Sequence, residues 1–100
     1  MARVPRGGVY VLRDRSSGRV MRTGRTKDLH RRELEHSRDP LLRRYRFDEV
    51  HETEDPAARR GLEQILHERY RPPLDLIAPI SVKNPRRRKY LAAARRLLQP

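Results

Sequence analysis

Alternating hydrophobic and polar positions along the chain predict three β-strands. Aliphatic residues alternate with others over residues 9–13, a polar turn follows at residues 14–18, and residues 19–25 return in the same manner. Two such segments joined by a tight turn are typical of an antiparallel hairpin. Residues 45–52 alternate with apolar side chains on both faces and are predicted to form the third strand.

The first helix is predicted between the second and third strands. Thr26 or Asp28 can cap it, and it runs to about Arg38, because the residue before Pro40 is disfavoured in helical geometry. One face of this helix carries Leu29, Arg32, Glu33 and His36. A core helix would not carry an arginine and a histidine on its apolar face. The helix is therefore either mostly solvated or lines a polar site.

A second helix is predicted to follow the third strand. Asp55 and Pro56 supply an N-cap and a proline at the first helical position, and the helical pattern continues to about Tyr70. Its predicted buried stripe consists of Ala58, Leu62, Ile65, Leu66 and Arg69. Glu63 falls about 120° from the centre of that stripe, at the helix flank. A carboxylate in that position can be partly desolvated and still reach a cleft.

The last part of the chain predicts an extended segment and a third helix. Pro72 and Pro73 stop the second helix, and residues 74–82 are predicted to be extended, with Leu76, Ile77 and Ile80 packing over the core. Asn84 and Pro85 repeat the cap-plus-proline signal. The last helix presents Tyr90, Leu91, Ala94, Leu97 and Leu98 on one side. Its first turn holds Arg86, Arg87, Arg88 and Lys89, and cations at that end are predicted to contact phosphate.

These elements predict a single α+β domain. A chain of 100 residues is too short to bury two cores. Residues 1–7, which contain Pro5 and end at the first of two glycines, are predicted to be a linker or domain boundary. Residues 8–100 form the domain, with a core over 8–75 and a C-terminal amphipathic, basic helix over about 84–98. The strands form a small three-stranded antiparallel sheet flanked by the helices.

The charge of the chain points to a polyanionic partner. The net charge is +12 and the pI is about 11.4, and arginine outnumbers lysine by 22 to 3. A field of that sign favours nucleic acid first and an anionic membrane surface or an acidic protein second. Guanidinium groups bind phosphate in bidentate fashion. Codon usage in a GC-rich genome is the alternative explanation for the arginine content.

Several site classes are excluded. The absence of cysteine excludes disulfides, zinc–thiolate sites and a cysteine nucleophile. No stretch approaches the roughly 20 apolar residues of a membrane span, and the basic amino terminus lacks the apolar region of a signal peptide. His30, His51 and His67 share no metal-ligand spacing and are predicted to lie on the surface. Tyr45 and Tyr70 are predicted to be core residues.

An ordered set of motifs resembles the GIY-YIG nuclease family. Five segments occur in the family order over residues 8–75: Gly8-Val9-Tyr10, Arg22-Thr23-Gly24-Arg25-Thr26, Asp28-Leu29-x-x-Arg32-x-x-x-His36, Leu62-Glu63, and Tyr70-Arg71-Pro72-Pro73-Leu74-Asp75. The resemblance implies a three-stranded sheet with flanking helices and metal-dependent hydrolysis of phosphodiester bonds. It also implies roles for individual residues. Tyr10 lies near the attacking water, Arg32 holds the scissile phosphate, and Glu63 is the single carboxylate ligand of Mg²⁺ or Mn²⁺.

The chain departs from the family pattern at two positions. Arg22 replaces the tyrosine of the second signature, and Asp75 replaces the terminal asparagine. Arginine does not act as a base near neutral pH, so either Tyr10 or His36 would accept the proton of the attacking water. A dense cationic surround is expected to favour the anionic form of Tyr10. Further contacts to nucleic acid are expected from Arg25, Lys27, Arg86, Arg87, Arg88 and Lys89.

The predicted function is a nuclease that hydrolyses phosphodiester bonds of DNA or RNA, with DNA the favoured substrate. The short basic domain resembles the C-terminal toxin modules of bacterial polymorphic toxins. That likeness implies delivery by a larger secreted protein into the cytoplasm of a target bacterium, and an acidic cognate immunity protein. Without such delivery the chain would act in the cytoplasm. One alternative is a non-catalytic nucleic-acid-binding module on the same scaffold, and another is a basic adaptor for an acidic protein or an anionic membrane.

Overall fold

The chain forms an α+β domain in the predicted element order. The computed structural model describes residues 4–75 and 77–99. It contains β1 (Gly8–Asp14), β2 (Val20–Thr26), α1 (Leu29–Arg38), β3 (Tyr45–Glu52), α2 (Pro56–Tyr70) and α3 (Arg87–Leu98). The strands form one antiparallel sheet in the order β2-β1-β3. The predicted fold class is therefore confirmed, and β2 is an edge strand.

The turn between β1 and β2 is organised by Asp14. Its carboxylate accepts hydrogen bonds from the backbone amides and hydroxyls of Ser16 and Ser17. These donors lower the pKa of Asp14 to about 2. Gly18 completes the turn with a φ of 75°, a conformation that side chains disfavour. The hairpin signal at residues 14–18 thus corresponds to a specific hydrogen-bonded turn.

The central strand β1 separates two small hydrophobic clusters. Val9 and Val11 point to one face and pack with Leu62, Leu66 and neighbouring residues of α2 and α3. Tyr10 and Leu12 point to the other face and pack with Leu29 of α1. This follows from the two-residue period of a strand, since successive side chains alternate between faces. Both faces of β1 are buried, so the sheet has helices on both sides.

The predicted caps of α1 and α2 are confirmed, whereas that of α3 is wrong. Asp28 accepts a hydrogen bond from the backbone amide of Arg31, and Asp55 does the same for Ala57. Asn84 instead accepts from the amide of Arg86, and α3 begins only at Arg87. The Asn84 side chain therefore forms a tight turn before the helix, which displaces the helix start along the chain.

The buried face of α2 differs from the predicted stripe at one of its ends. Ala58, Leu62 and Leu66 are buried as expected, but Arg69 is exposed. Gln64 is buried instead, because its carbonyl accepts the backbone amide of Ile80. Gly61 is also buried, and a side chain there would collide with the backbone of α3 at Tyr90. α3 and the loop before it thus pack against α2. The helical periodicity of the α2 sequence does not predict these contacts.

The prediction of an extended segment over residues 74–82 is wrong. The described residues of this segment form turns and bends, with no strand among them, and Leu76 lies outside the described residues. Ile80 is fully buried, but Ile77 is 87% exposed. Hydrogen bonds from Asp75 N to the Pro72 carbonyl and from Asn84 N to the Ser81 carbonyl close two local turns. Among the described residues of this segment, Ile80 is the buried one.

The segment before β1 and the C-terminal helix α3 both make contacts that the sequence pattern did not indicate. The Arg6 carbonyl accepts the amide of Leu29, and Gly7 exchanges hydrogen bonds with the segment after β3. On α3, Ala93 and Ala94 are buried, whereas Leu97 and Leu98 are 40% and 50% exposed.

Within the described part of the chain, no helix has the length and apolar character needed to cross a membrane, as predicted.

Candidate active site

The position of the Tyr10 ring depends on a glycine in the neighbouring edge strand, β2. Tyr10 lies opposite Gly24 in the register of β1 and β2, and any Cβ at Gly24 would collide with the phenol ring. The ring therefore lies across the β2 backbone, where only glycine leaves room. Its other side stacks on Phe47, with centroids 4.5 Å apart and planes at 19°. Tyr10 is 2% exposed and its orientation is set from both sides.

The hydroxyl of Tyr10 is hydrogen-bonded to His36 of α1. The distance between Tyr10 Oη and His36 Nε2 is 3.0 Å, and His36 is 8% exposed. Burial lowers the pKa of His36, and the charges of Arg22 and Arg32 lower it further. The imidazole is therefore neutral at pH 7. In the tautomer with the proton on Nδ1, its Nε2 accepts a hydrogen bond from the Tyr10 hydroxyl.

The expectation that the cationic surround makes Tyr10 anionic is wrong. Burial raises the pKa of Tyr10, and this effect outweighs the opposing charges of Arg32 and Arg22. The phenol is therefore protonated at rest. It becomes a base only by passing its own proton on, and His36 is the group positioned to take it.

Two guanidinium groups flank the phenol–imidazole pair. Arg32 comes from the same helix as His36, and Arg22 comes from β2 on the same sheet face as Tyr10. The charges of both arginines act on both Tyr10 and His36. Nε of Arg32 is buried without a hydrogen bond, at 3.2 Å from a carboxylate oxygen of Glu35. The pair thus lies in a strongly positive field of the kind that binds phosphate.

Glu63 belongs to α2, which packs on the face of the sheet opposite to Tyr10. Arg25 of β2 donates to Glu63 Oε1 at 2.5 Å, and the Glu63 side chain is only 12% exposed. Burial raises the pKa of Glu63 despite this bond. The charge of Glu63 in turn raises the pKa of Tyr10, so the two groups are in electrostatic contact.

Asp75 ties the loop after α2 to the outer edge of β2. Its Oδ2 accepts the backbone amide of Thr23 at 3.0 Å and the Thr23 hydroxyl at 2.5 Å. The amide of Leu74 donates to the Met21 carbonyl next to it. These bonds cover hydrogen-bonding groups that an edge strand would leave open. The charge of Asp75 also raises the pKa of Glu63, which places the two carboxylates in one region.

His67 belongs to this region, and the prediction that it lies on the surface is wrong. Its side chain is 19% exposed, and its Nδ1 is buried without a hydrogen bond at 3.7 Å from Asp75 Oδ2. His67 follows Glu63 by four residues, so both lie on one face of α2. That spacing was the available signal in the sequence. The prediction for Tyr70 is also wrong, since Tyr70 is 37% exposed, whereas Tyr45 packs against the Tyr10 cluster.

The cations predicted to bind nucleic acid fall into two separate places. Arg25 and Lys27 lie beside the cluster, at the end of β2. Arg86, Arg88 and Lys89 are exposed at the start of α3, and Arg87 donates to the Ile80 carbonyl and to Glu68. Within the described residues, no hydrogen bond or ion pair joins these four to the cluster. The guanidinium of Arg87 is engaged in holding α3 to α2 and the preceding loop.

No family model, curated protein or solved structure matches this chain. The chemistry of the cluster is therefore the basis for a function.

The donor set around Glu63 is small, as a hydrated divalent cation would require. No group of three or more His, Asp or Glu side chains converges among the described residues. Arg25, however, occupies only Oε1 of Glu63, and within the described residues no hydrogen bond reaches Oε2. Mg²⁺ commonly keeps most of its waters and needs one or two carboxylates. Glu63, with Asp75 nearby, meets that requirement.

Proposed function

We propose that the chain is a metal-dependent nuclease of the GIY-YIG type that its motifs resemble. The observation that supports this most is the hydrogen-bonded Tyr10–His36 pair, buried beside Arg22 and Arg32 and in electrostatic contact with Glu63. A phenol, an imidazole, two guanidinium groups and a carboxylate each match a requirement of phosphodiester hydrolysis. DNA is the proposed substrate, with RNA the less favoured one.

The proton of the attacking water would leave through the Tyr10–His36 pair. As water attacks phosphorus, the P–O bond to the leaving ester oxygen breaks and solvent protonates that oxygen, while Tyr10 Oη takes the proton of the attacking water and the phenolic proton passes to His36 Nε2. The phenol is restored and the imidazole becomes imidazolium, so the pair ends with one added proton. This route assigns the base role to both residues, with Tyr10 as the first proton acceptor and His36 as the final one.

The charged side chains would stabilise the phosphate during this step. Arg32 and Arg22 would oppose the negative charge that builds on the phosphate oxygens. Glu63 would hold Mg²⁺ or Mn²⁺, with Asp75 adjacent. Such an ion supplies Lewis-acid stabilisation of the phosphate. Arg25 holds Glu63 in place through one oxygen and leaves the other for the ion.

The direct test is cleavage by the purified chain. With Mg²⁺ or Mn²⁺ present, plasmid DNA is expected to be degraded, with total RNA as the parallel substrate, and EDTA is expected to stop the reaction. Agarose and denaturing polyacrylamide gels over a time course measure this. A chain that leaves both substrates intact with either metal would contradict the proposal.

The pH dependence is expected to follow His36. Burial, Arg22 and Arg32 lower its pKa below the ordinary 6.5, and the opposing charges of Asp39 and Glu35 are weaker. The neutral base is therefore present at pH 7, and cleavage should decline only as the pH falls below 6.5. Folding stability should fall over the same range, since the unfolded state binds the proton more readily. NMR titration of the imidazole Cε1–H measures the pKa, and a midpoint at or above 6.5 would be inconsistent with this site.

The biological setting that we propose is a toxin module. Delivery by a larger secreted protein would bring the domain into the cytoplasm of a target bacterium; without it the chain would act in its own cytoplasm. The net charge of +12 supports an acidic immunity protein that covers the basic site. Co-expression with such a protein would be needed to produce the active chain.

A non-catalytic nucleic-acid-binding module is the second candidate function. The observation that favours it is the short Arg25–Glu63 ion pair, which occupies one oxygen of the proposed metal ligand. If that pair persists on nucleic acid, the cluster would bind phosphate without cutting it. Substitution of Glu63 separates the two functions.

A further inference from the structure

A groove next to the cluster is lined almost entirely by cations. It lies where β2 ends and α1 and α2 begin, has a volume of about 320 Å³, and is here called the basic groove. Its five charged lining residues are all positive: Arg25, Lys27, Arg31, Arg32 and Arg59. Arg25 and Arg32 also belong to the cluster around Tyr10. The groove and the proposed active site are therefore continuous.

The positive charge of the basic groove is only partly neutralised. Glu63 pairs with Arg25, and the exposed Glu35 lies near both Arg31 and Arg32. Lys27 and Arg59 have no carboxylate within ion-pair distance among the described residues. At the helix starts, Asp28 and Asp55 serve as N-caps, and neither helix has an acidic residue in its first turn. An excess of cations at two helix N-termini favours an anion in the groove.

Arg59 is the residue that distinguishes this groove from an ordinary basic surface. It is 6% exposed, and its guanidinium lies over Gly7, where any side chain would collide with it. Among the described residues, its guanidinium makes one hydrogen bond, a 3.5 Å contact from Nη1 to the Thr53 carbonyl. A charge buried this far without a counter-ion is costly, so the groove supplies donors that an anion would satisfy.

We propose that the basic groove is a second phosphate site, which binds a phosphodiester next to the one that is cut, on the same strand. This rests on the proposed nuclease function, because Arg25 and Arg32 connect the groove to the scissile phosphate. Lys27 and Arg59 supply the charge, and the site positions the strand without touching the reacting atoms. Two occupied phosphate positions would fix the direction of the strand across Tyr10.

The test compares short oligonucleotides that differ by one phosphodiester. Dithymidylate carries one phosphodiester and trithymidylate carries two, and both are titrated into the wild-type chain in EDTA at low salt by NMR. The second phosphodiester is expected to tighten binding several-fold and to shift the Lys27 and Gly7 amides. A trithymidylate with its second linkage replaced by neutral methylphosphonate should bind like the dinucleotide.

Matched lysine variants locate the effect. Lys27→Ala should remove the gain from the second phosphodiester, whereas Lys83→Ala, an exposed lysine outside the groove, should keep it. With longer DNA, Lys27→Ala should also lower the slope of log K against log salt by about 0.7–0.9. Arg59→Lys, which retains a charge, should retain most of the gain, whereas Arg59→Gln should lose it. Circular dichroism establishes that each variant is folded.

The result that overturns the proposal is an equal gain from the second phosphodiester in Lys27→Ala and Lys83→Ala. No binding of any oligonucleotide would overturn it together with the nuclease function. Binding is measured without metal or cleavage, so a chain that binds in this manner but does not cut would contradict only the nuclease function. A chain that cuts but shows no difference between the two lysine variants would contradict only the second phosphate site.

Discussion

Glu63→Gln is expected to reduce cleavage by at least about 10²-fold while binding of nucleic acid stays unchanged within about twofold. The substitution removes the carboxylate that would hold the metal but keeps the size of the side chain and a hydrogen-bond acceptor for Arg25. Burial already raises the pKa of Glu63, so a neutral side chain should be tolerated by the fold. Cleavage of plasmid DNA under Mg²⁺ and fluorescence anisotropy in EDTA measure the two quantities.

Glu68→Gln is the matched control for Glu63. Glu68 lies on the same helix, is exposed, and pairs with Arg87 at the surface, where an ion pair contributes about 0–1 kcal/mol. Its variant should cut like the wild type. Equal cleavage by Glu63→Gln and wild type would refute the role of Glu63. Binding without cleavage in the wild type would instead favour the non-catalytic module.

Tyr10→Phe is expected to lower kcat by about 10²–10⁴-fold, the usual contribution of a positioned acid–base group. The ring keeps its stacking on Phe47, so packing is preserved. The hydrogen bond to His36 is lost, which should cost about 0.5–1.5 kcal/mol of the free energy of unfolding. Steady-state kinetics and thermal unfolding measure the two effects, and the fall in kcat should far exceed what the loss of stability explains.

Tyr45→Phe provides the control for Tyr10. Tyr45 packs against the same cluster, but its hydroxyl makes no hydrogen bond within the described residues. Its variant should cut normally. His36→Asn should be as impaired as Tyr10→Phe, and the double variant little worse than either one, because the two residues act as one proton path. Wild-type kcat in Tyr10→Phe would rule out a proton path through the phenol.

Short-range patterns were sufficient for most of the fold. Asp28 and the Asp55–Pro56 pair mark where α1 and α2 begin, and the polar residues 14–18 mark the hairpin turn. These signals succeed because caps and tight turns are formed by side chains bonding to backbone groups two or three residues away. These signals fail where contacts between segments far apart in the chain determine the structure. The hydrogen bond from the Ile80 amide to Gln64 joins residues far apart in the chain, and the exposure of Arg69 depends on how α2 packs.

The candidate site also combines features that the sequence predicted with features that depend on tertiary structure. The sequence predicted the candidate side chains Tyr10, Arg22, Arg32, His36, Glu63 and Asp75 by their order and chemistry, and in the structure the charges of Arg22, Arg32 and Glu63 act on the pKa of Tyr10. Tertiary structure decided that Tyr10 rests on Gly24, that His67 joins Asp75, and that Arg59 is buried in a groove. It also reversed the expected pKa shift of Tyr10. Residue types and helical spacing are properties of neighbours in the chain, whereas desolvation depends on packing between segments far apart in sequence.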